Sequence, residues 1–403
     1  MSPEYLPTWI LLGGLGLVVA ASLLAETPRL RPGKNSIGYW PLLLIVLMGI
    51  VGTAGPWQNV KMTPIAYEVM AIGLFFLLRH YGGARAENAS WLWLIGSQLA
   101  FVLMLLLNRG ILDGTAFSWL LLLAFFLVLP VWPFSFWWGE TISQSPLPVA
   151  VLLPIASLTL PGFLLGLAHL HPAEGFFAPG GWLWLPMLIS LFLAALALGR
   201  QSDLKLALAF GVWAWVLALS LRPVLEAPDL LARTAPASPP EKGDEFFTHV
   251  LPYFKNEVVN PAVSLSLLLI VAAFALLIGH LQRGTGTTFV EDLQPLAKNP
   301  GLARLRRCWT FASWLLAALP VTFLWQALLG GDPGRSDFAS VTVPLAAALV
   351  LLAGSLFHLR GRLFDGDGHT TGTKEATELP VGLYGLVLVL LGAAAMLPFL
   401  LQK

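Results

Sequence analysis

The sequence predicts an all-α polytopic membrane protein with about twelve transmembrane helices. Of its 403 residues, 57% are hydrophobic and only 11% are charged, and the mean hydropathy is +0.77. Soluble domains contain about 25% charged residues, so a soluble core does not explain this composition. The apolar residues also form continuous runs of about 20 residues, the length at which a helix crosses a bilayer. Alternating barrel strands would not give such runs, and only helices fit them.

Twelve apolar runs of spanning length follow one another along the chain. The first has no basic segment before it, so we expect a retained span and not a cleaved signal peptide. In chain order the runs cover about 8–25, 38–55, 63–80, 90–107, 116–134, 147–168, 181–199, 204–222, 261–282, 308–330, 340–358 and 380–401.

The runs predict four parts of the chain. Residues 1–60 carry two N-terminal spans, 61–222 form a first half, 223–260 form a long loop, and 261–403 form a second half. The loop is rich in proline and acidic residues. Its later part fits a short amphipathic helix on the membrane surface or against a partner, and a solvated loop explains its charges equally well.

Basic residues are concentrated in the loops on one side of the predicted spans, for example around 29–34, 79–85, 298–307 and 360–374. Loops rich in lysine and arginine stay in the cytoplasm. We therefore expect an inner (cytoplasmic) membrane protein whose two termini and 223–260 loop lie outside the cytoplasm.

Several site classes are excluded by composition. The single cysteine, Cys308, allows no internal disulfide and no cysteine-based zinc or iron–sulfur site within this chain alone. The net charge of +1 gives no nucleic-acid footprint. His169 and His171 are two residues apart and do not share a helix face. The histidines at 80, 280 and 358 lie at span ends, where axial haem ligands are not expected. We expect no metal and no cofactor.

A proline-containing motif interrupts the fifth apolar run. Pro130 and Pro133 follow its apolar start, and Trp137 and Pro146 come after them. Proline lacks the N–H of a helical hydrogen bond and collides with the preceding turn, so we expect a broken helix here. The string LVLPV at 127–131 recurs as AALPV at 317–321, which predicts a second break near Pro320. Paired broken helices are typical of two inverted repeats, here of five helices each.

The motif resembles the broken-helix core of the antiporter-like subunits of respiratory complex I and of the Mrp cation/proton antiporters. In that family the core carries two buried lysines and a loop histidine. The corresponding positions here are Val128, Thr159 and Ser135. The resemblance implies the fold of a proton-conducting subunit in which the lysines of the proton path have been lost.

Two other segments resemble the same family. Residues 64–83 are similar to the helix that carries its buried glutamate, which places Glu68 at that position. Gln201, Asp203 and Lys205 match a second family segment, whose following histidine falls on Trp215. By this resemblance the residues left for a proton path are Glu68, Thr159 and Lys205.

Glu68 is the one charged residue well inside a predicted span. A charged side chain near the bilayer centre costs roughly 2.5–3.5 kcal/mol on insertion scales, so it persists where it pairs, is hydrated or functions. With Val128 and Thr159 at the lysine positions, no cationic partner is evident in its layer. Both a residual structural role and a proton or ion role stay open.

The sequence favours an antiporter-like subunit of a complex I or Mrp related assembly that acts mainly as a scaffold or coupling subunit. Its expected partners are the lipid bilayer and other integral membrane subunits, and it is not expected to be catalytic by itself. The assembly could be a quinone oxidoreductase, a hydrogenase or a carbon-uptake complex. One alternative is an active proton or sodium translocating subunit that uses Glu68, including energy-coupled inorganic-carbon uptake. Another is an independent twelve-span solute carrier, against which the broken-helix motif argues.

Overall fold

The computed structural model describes residues 6–25, 37–54, 62–82, 85–108, 114–129, 131, 136–153, 160, 164, 184–218, 261–293, 302–330, 336–364 and 378–400. Within these residues there are α-helices and no strand, and the only β-type pairing is an isolated bridge between Asp203 and Phe289. The all-helical class is therefore confirmed for the described part of the chain.

The helices of the first part of the chain are α1 (Leu6–Ala25), α2 (Tyr39–Ala54), α3 (Met62–Tyr81), α4 (Ala86–Asn108), α5 (Gly114–Val128), α6 (Phe136–Gln144) and α7 (147–153). Those that follow are α8 (Trp184–Arg200), α9 (Leu204–Ala218), α10 (Pro261–Thr285), α11 (Val290–Leu293), α12 (Ala303–Gly330), α13 (Ser336–Phe364) and α14 (Val381–Leu400).

Four of the described helices are long and apolar enough to cross a membrane. They are Met62–Tyr81, Ala86–Asn108, Leu265–Thr285 and Leu345–Phe364. Six shorter apolar helical segments, in α1, α2, α5, α8, α9 and α14, reach 10–17 residues. The protein is thus a helical membrane protein, and the number of twelve spans stays a prediction.

The chain divides into two compact units. The first combines Met1–Thr27, Leu191–Trp215 and Pro261–Lys403, and the second combines Pro28–Ser190 and Val216–Asn260. In the first unit α10 packs against α1, α12 and α14. In the second unit α3 lies between α2 and α4, and α4 also contacts α5 and α6. These units are defined by compactness and not by a repeat. The predicted division into 1–60, 61–222, 223–260 and 261–403 therefore stays a prediction.

Glycines allow helices to approach closely in each unit. A Cβ built at Gly279 in α10 would contact the Cβ of Ala25 and lie 2.7 Å from the Ala25 carbonyl oxygen. A Cβ built at Gly49 in α2 would lie 2.6 Å from the backbone nitrogen of Met70 in α3. Small residues at such crossings are typical of helix packing in membranes, where close contact replaces the hydrophobic effect.

The two predicted helix breaks have different outcomes. In the fifth span α5 ends at Val128 and α6 begins at Phe136, while Pro130 and Pro133 themselves lie outside the described residues. In the tenth span α12 continues from Ala303 to Gly330, so the interruption predicted near Pro320 is not observed. Proline removes one helical hydrogen bond, and a helix tolerates this where a neighbouring helix supplies another donor.

The recurring strings at 127–131 and 317–321 place Val128 and Ala318 at equivalent positions, and these two residues also differ in burial. Val128, at the end of α5, is buried with 4% exposure. Ala318, in the middle of α12, is exposed. The shared Leu-Pro-Val string therefore does not correspond to equal environments in the two helices.

Candidate functional site

Two side chains of α4 donate hydrogen bonds across to α3. The indole Nε1 of Trp93 donates to the carbonyl of Ala71 at 2.9 Å, and this bond is buried. Five residues further along α4, the amide Nε2 of Gln98 donates to Oε1 and Oε2 of Glu68 at 2.9 and 3.0 Å. The partners on α3 run in the opposite direction, from 71 to 68, so these bonds fix an antiparallel register between α3 and α4.

The pair formed by Glu68 and Gln98 is the candidate site. Both carboxylate oxygens accept from one amide nitrogen, at distances typical of good hydrogen bonds. Glu68 lies in the second turn of α3, about 9 Å from its start by the helical rise of about 1.5 Å per residue. Gln98 lies near the middle of α4. The pair therefore falls within the length of two helices of membrane-spanning size.

The pair lies beside an apolar surface that points away from the unit. Glu68 and Gln98 are each half-buried. Exposed aliphatic side chains flank them along both helices, and we refer to these as the outward face: Ile65, Val69 and Ile72 of α3, and Ile95, Leu99 and Val102 of α4. A hydrogen-bonded polar pair thus borders a surface that only lipid or another apolar protein surface can cover.

No cation of the surrounding helices reaches Glu68. Helices α2 to α6 contain one arginine, Arg79, and no lysine. Arg79 is eleven residues further along α3, which is about 16 Å of helical rise. Its guanidinium lies 3.8 Å from Glu87 and stacks over the ring of Trp91 at 5.3 Å. Within these helices Glu68 is held by an amide and is not neutralised by a positive charge.

Lys205 lies at the start of α9, in the first unit. Its side chain is buried, and its backbone N–H donates to Oδ1 of Asp203 at 2.9 Å, so Asp203 is the N-cap of α9. Glu68 belongs to the second unit. Thr159, the third residue of the predicted proton path, lies outside the described residues.

The described residues contain no group of three or more His, Cys, Asp or Glu side chains that could hold a metal ion. One cavity of about 20 Å³ lies in the first unit, between apolar side chains of α8, α9, α10, α12 and α13 and the hydroxyl of Ser313. Its volume suits about one water molecule. It is too small for an organic cofactor.

Gln98 is the member of the candidate site that the sequence does not point to directly. It lies directly before the apolar stretch of α4 from Leu99 to Leu107. A polar side chain in the bilayer needs a partner, and a glutamate and a glutamine on consecutive spans are natural candidates for each other. That reasoning would have found the pair before the structure.

The fold is similar to that of chains in respiratory membrane complexes. No family model matches the sequence, and no curated protein matches it. A chain of respiratory complex I from Thermus thermophilus superposes with a TM-score of 0.63 at 16% identity, covering 96% of this chain and 85% of that chain. A second structure of the same complex gives 0.64 at 14% identity, with 98% and 85% covered. A chain of the membrane-bound sulfane sulfur reductase, an archaeal respiratory membrane complex, gives 0.65 at 15% identity, with 97% and 78% covered.

The predicted resemblance to complex I subunits is thus confirmed at the level of the fold. The similarity extends over nearly the whole of this chain and over most of each matched chain.

Proposed function

We propose that this chain is an antiporter-like membrane subunit of a complex I related energy-coupling assembly, and that it acts as a scaffold or coupling subunit and not as a proton pump. On this proposal its twelve spans contain two inverted five-helix repeats. It lies in the inner membrane with both termini outside the cytoplasm. The similarity in fold to chains of respiratory complexes supports the assembly class.

The observation that carries the scaffold role is the environment of Glu68. A proton path needs a series of titratable or hydrated groups. Glu68 is instead bound by the amide of Gln98, and helices α2 to α6 contain no lysine. Val128, at the position where the family carries its first lysine, is a buried apolar side chain. The pair is suited to fixing the register of α3 and α4.

The same pair supports a membrane partner. In lipid, an amide or carboxylate at the edge of an apolar surface finds no hydrogen-bonding group. A transmembrane helix of another subunit can cover the aliphatic side chains of the outward face and supply a further donor to Glu68. This partner is of the kind that a subunit of a larger membrane complex requires.

Replacing Glu68 by Gln tests the scaffold role. The substitution keeps the shape and the hydrogen-bonding capacity and removes the titration. We expect the ion-coupled activity of the purified assembly to fall less than twofold, which corresponds to less than about 0.4 kcal/mol on the activation barrier. The matched control is Glu87→Gln, the same change at an exposed residue in the first turn of α4.

Loss of ion-coupled activity in Glu68→Gln, with the complex present at normal abundance and Glu87→Gln unaffected, would contradict the scaffold role. It would support the alternative of an active proton or sodium translocating subunit in which Glu68 carries the ion, with Thr159 and Lys205 as further members of the path.

The orientation is tested by accessibility labelling of single cysteines on a background in which Cys308 is replaced. Cysteines within 284–304 and 362–378 are expected to react with an impermeant reagent only from the cytoplasmic side. Cysteines within 230–250 are expected to react only from outside, because the loops richest in basic residues stay in the cytoplasm. The opposite pattern would reverse the proposed topology.

A further inference from the structure

Pro320 creates a structural problem in the middle of α12. The helix runs from Ala303 to Gly330 and includes the proline. Because proline has no N–H, the carbonyl four residues earlier, that of Leu316, has no helical donor. Within an apolar interior an unsatisfied carbonyl is costly, and this cost usually bends or breaks a helix at proline.

A side chain from another helix replaces the missing donor. The indole Nε1 of Trp215, in α9, donates to the carbonyl oxygen of Leu316 at 3.0 Å, and the bond is buried. Trp215 and Leu316 are each fully buried and belong to the same compact unit. The carbonyl that receives this bond is the one that Pro320 leaves without a partner.

Helices α9 and α12 also come into ordinary van der Waals contact one turn before Trp215. Gly211 lies one turn before Trp215 on the same face of α9, and a Cβ built there would lie 3.5 Å from Cδ2 of Leu316. The start of α9 is anchored as well, because the N–H of Leu204 donates to the carbonyl of Thr288 at 2.9 Å. The N–H of Val290 donates to the carbonyl of Ser202 at 2.7 Å. These two bonds fix the start of α9, about three turns before Trp215, to the segment that follows α10.

We infer that Trp215 is a lock, in the sense that its hydrogen bond to the Leu316 carbonyl keeps α12 continuous through Pro320. This inference goes beyond the proposed function, since it concerns the conformation of one helix and does not depend on the partner or on ion movement. The lock is the single hydrogen bond from Trp215 to the Leu316 carbonyl. It is required because Pro320 has no N–H to donate to that carbonyl.

The test is a double-mutant comparison of Trp215→Phe and Pro320→Ala in the full-length protein. Alanine at 320 restores the helical N–H, so the Leu316 carbonyl no longer depends on the indole. In the natural Pro320 background, Trp215→Phe is expected to accelerate hydrogen exchange of the amides of residues 321–324 about tenfold, the effect of leaving one buried acceptor unpaired. In the Pro320→Ala background the same substitution is expected to change that exchange less than about twofold.

The matched control is Trp213→Phe, which changes a second buried tryptophan of α9 whose ring packs against Phe210. Its effect is expected to be the same in both backgrounds. Equal effects of Trp215→Phe in the two backgrounds would overturn the inference. If Trp215→Phe does not accumulate in membranes, its recovery by Pro320→Ala supports the lock, and failure in both backgrounds overturns it.

Discussion

Replacing Gly279 by Val is expected to remove most of the folded protein from the membrane. The new Cβ would collide with the Cβ of Ala25 and approach its carbonyl oxygen to 2.7 Å. The atoms in the way are the backbone and the Cβ of Ala25, which cannot rotate aside, so α1 and α10 must move apart. We expect the loss of about 3 kcal/mol in unfolding free energy, the upper range of overpacking costs. Thermal unfolding and abundance of a fluorescent fusion in detergent extracts measure this.

The control for this experiment is Gly354→Val in α13. A Cβ built at Gly354 meets no atom within 4 Å, and the residue is exposed. The intrinsic helix propensity of valine is better than that of glycine, so the control protein should be as stable as the natural one or slightly more so. Equal stability of the Gly279→Val and Gly354→Val proteins would mean that α1 and α10 do not approach as closely as the 2.7 Å distance at Gly279 requires.

Replacing Gln98 by Leu is expected to have the second large effect. It removes the donor that both carboxylate oxygens of Glu68 share. A polar group deprived of its partner in an apolar setting costs about 1–3 kcal/mol, and more when it is charged. We expect a loss of about 3 kcal/mol, measured by thermal unfolding and by the yield of assembled protein.

A second variant separates this cause from loss of packing. In the double replacement Glu68→Leu with Gln98→Leu both polar partners are absent, and replacing both members of a hydrogen-bonded pair by apolar groups is close to neutral. The double variant should therefore be more stable than Gln98→Leu alone. Additive losses would show that the two side chains do not depend on each other.

The sequence was sufficient to predict the all-helical membrane fold and to identify Glu68 as a charged residue inside a span. Long apolar runs identify spanning helices because the requirement for internal backbone hydrogen bonds is local. Glu68 was identified because a charge inside such a run is costly. Its partner Gln98 depends on the register between α3 and α4, which is set by contacts such as that of Trp93 with Ala71. Such contacts between helices are not visible in either helix alone.

The recurrence of Leu-Pro-Val shows a limit of local reasoning. At 127–131 the string begins at the end of α5. At 317–321 it lies inside the continuous helix α12. Where α12 continues through Pro320, the Leu316 carbonyl accepts a hydrogen bond from Trp215, which is 101 residues away in the sequence. A proline predicts that a carbonyl will lack its helical donor, and only the tertiary structure determines whether another group replaces it.

The order of synthesis gives the contact between α1 and α10 a further consequence. Helices α2 to α6 meet neighbours that are close in the chain, so they can pack soon after they enter the membrane. Residues 6–25 of α1 must wait until residues 261–285 of α10 have left the ribosome. At about 5–20 residues per second this delay is on the order of 10–50 seconds. Throughout that interval the surface around Gly279 that contacts Ala25 has not yet been made, so α1 spends it without the helix against which it finally packs.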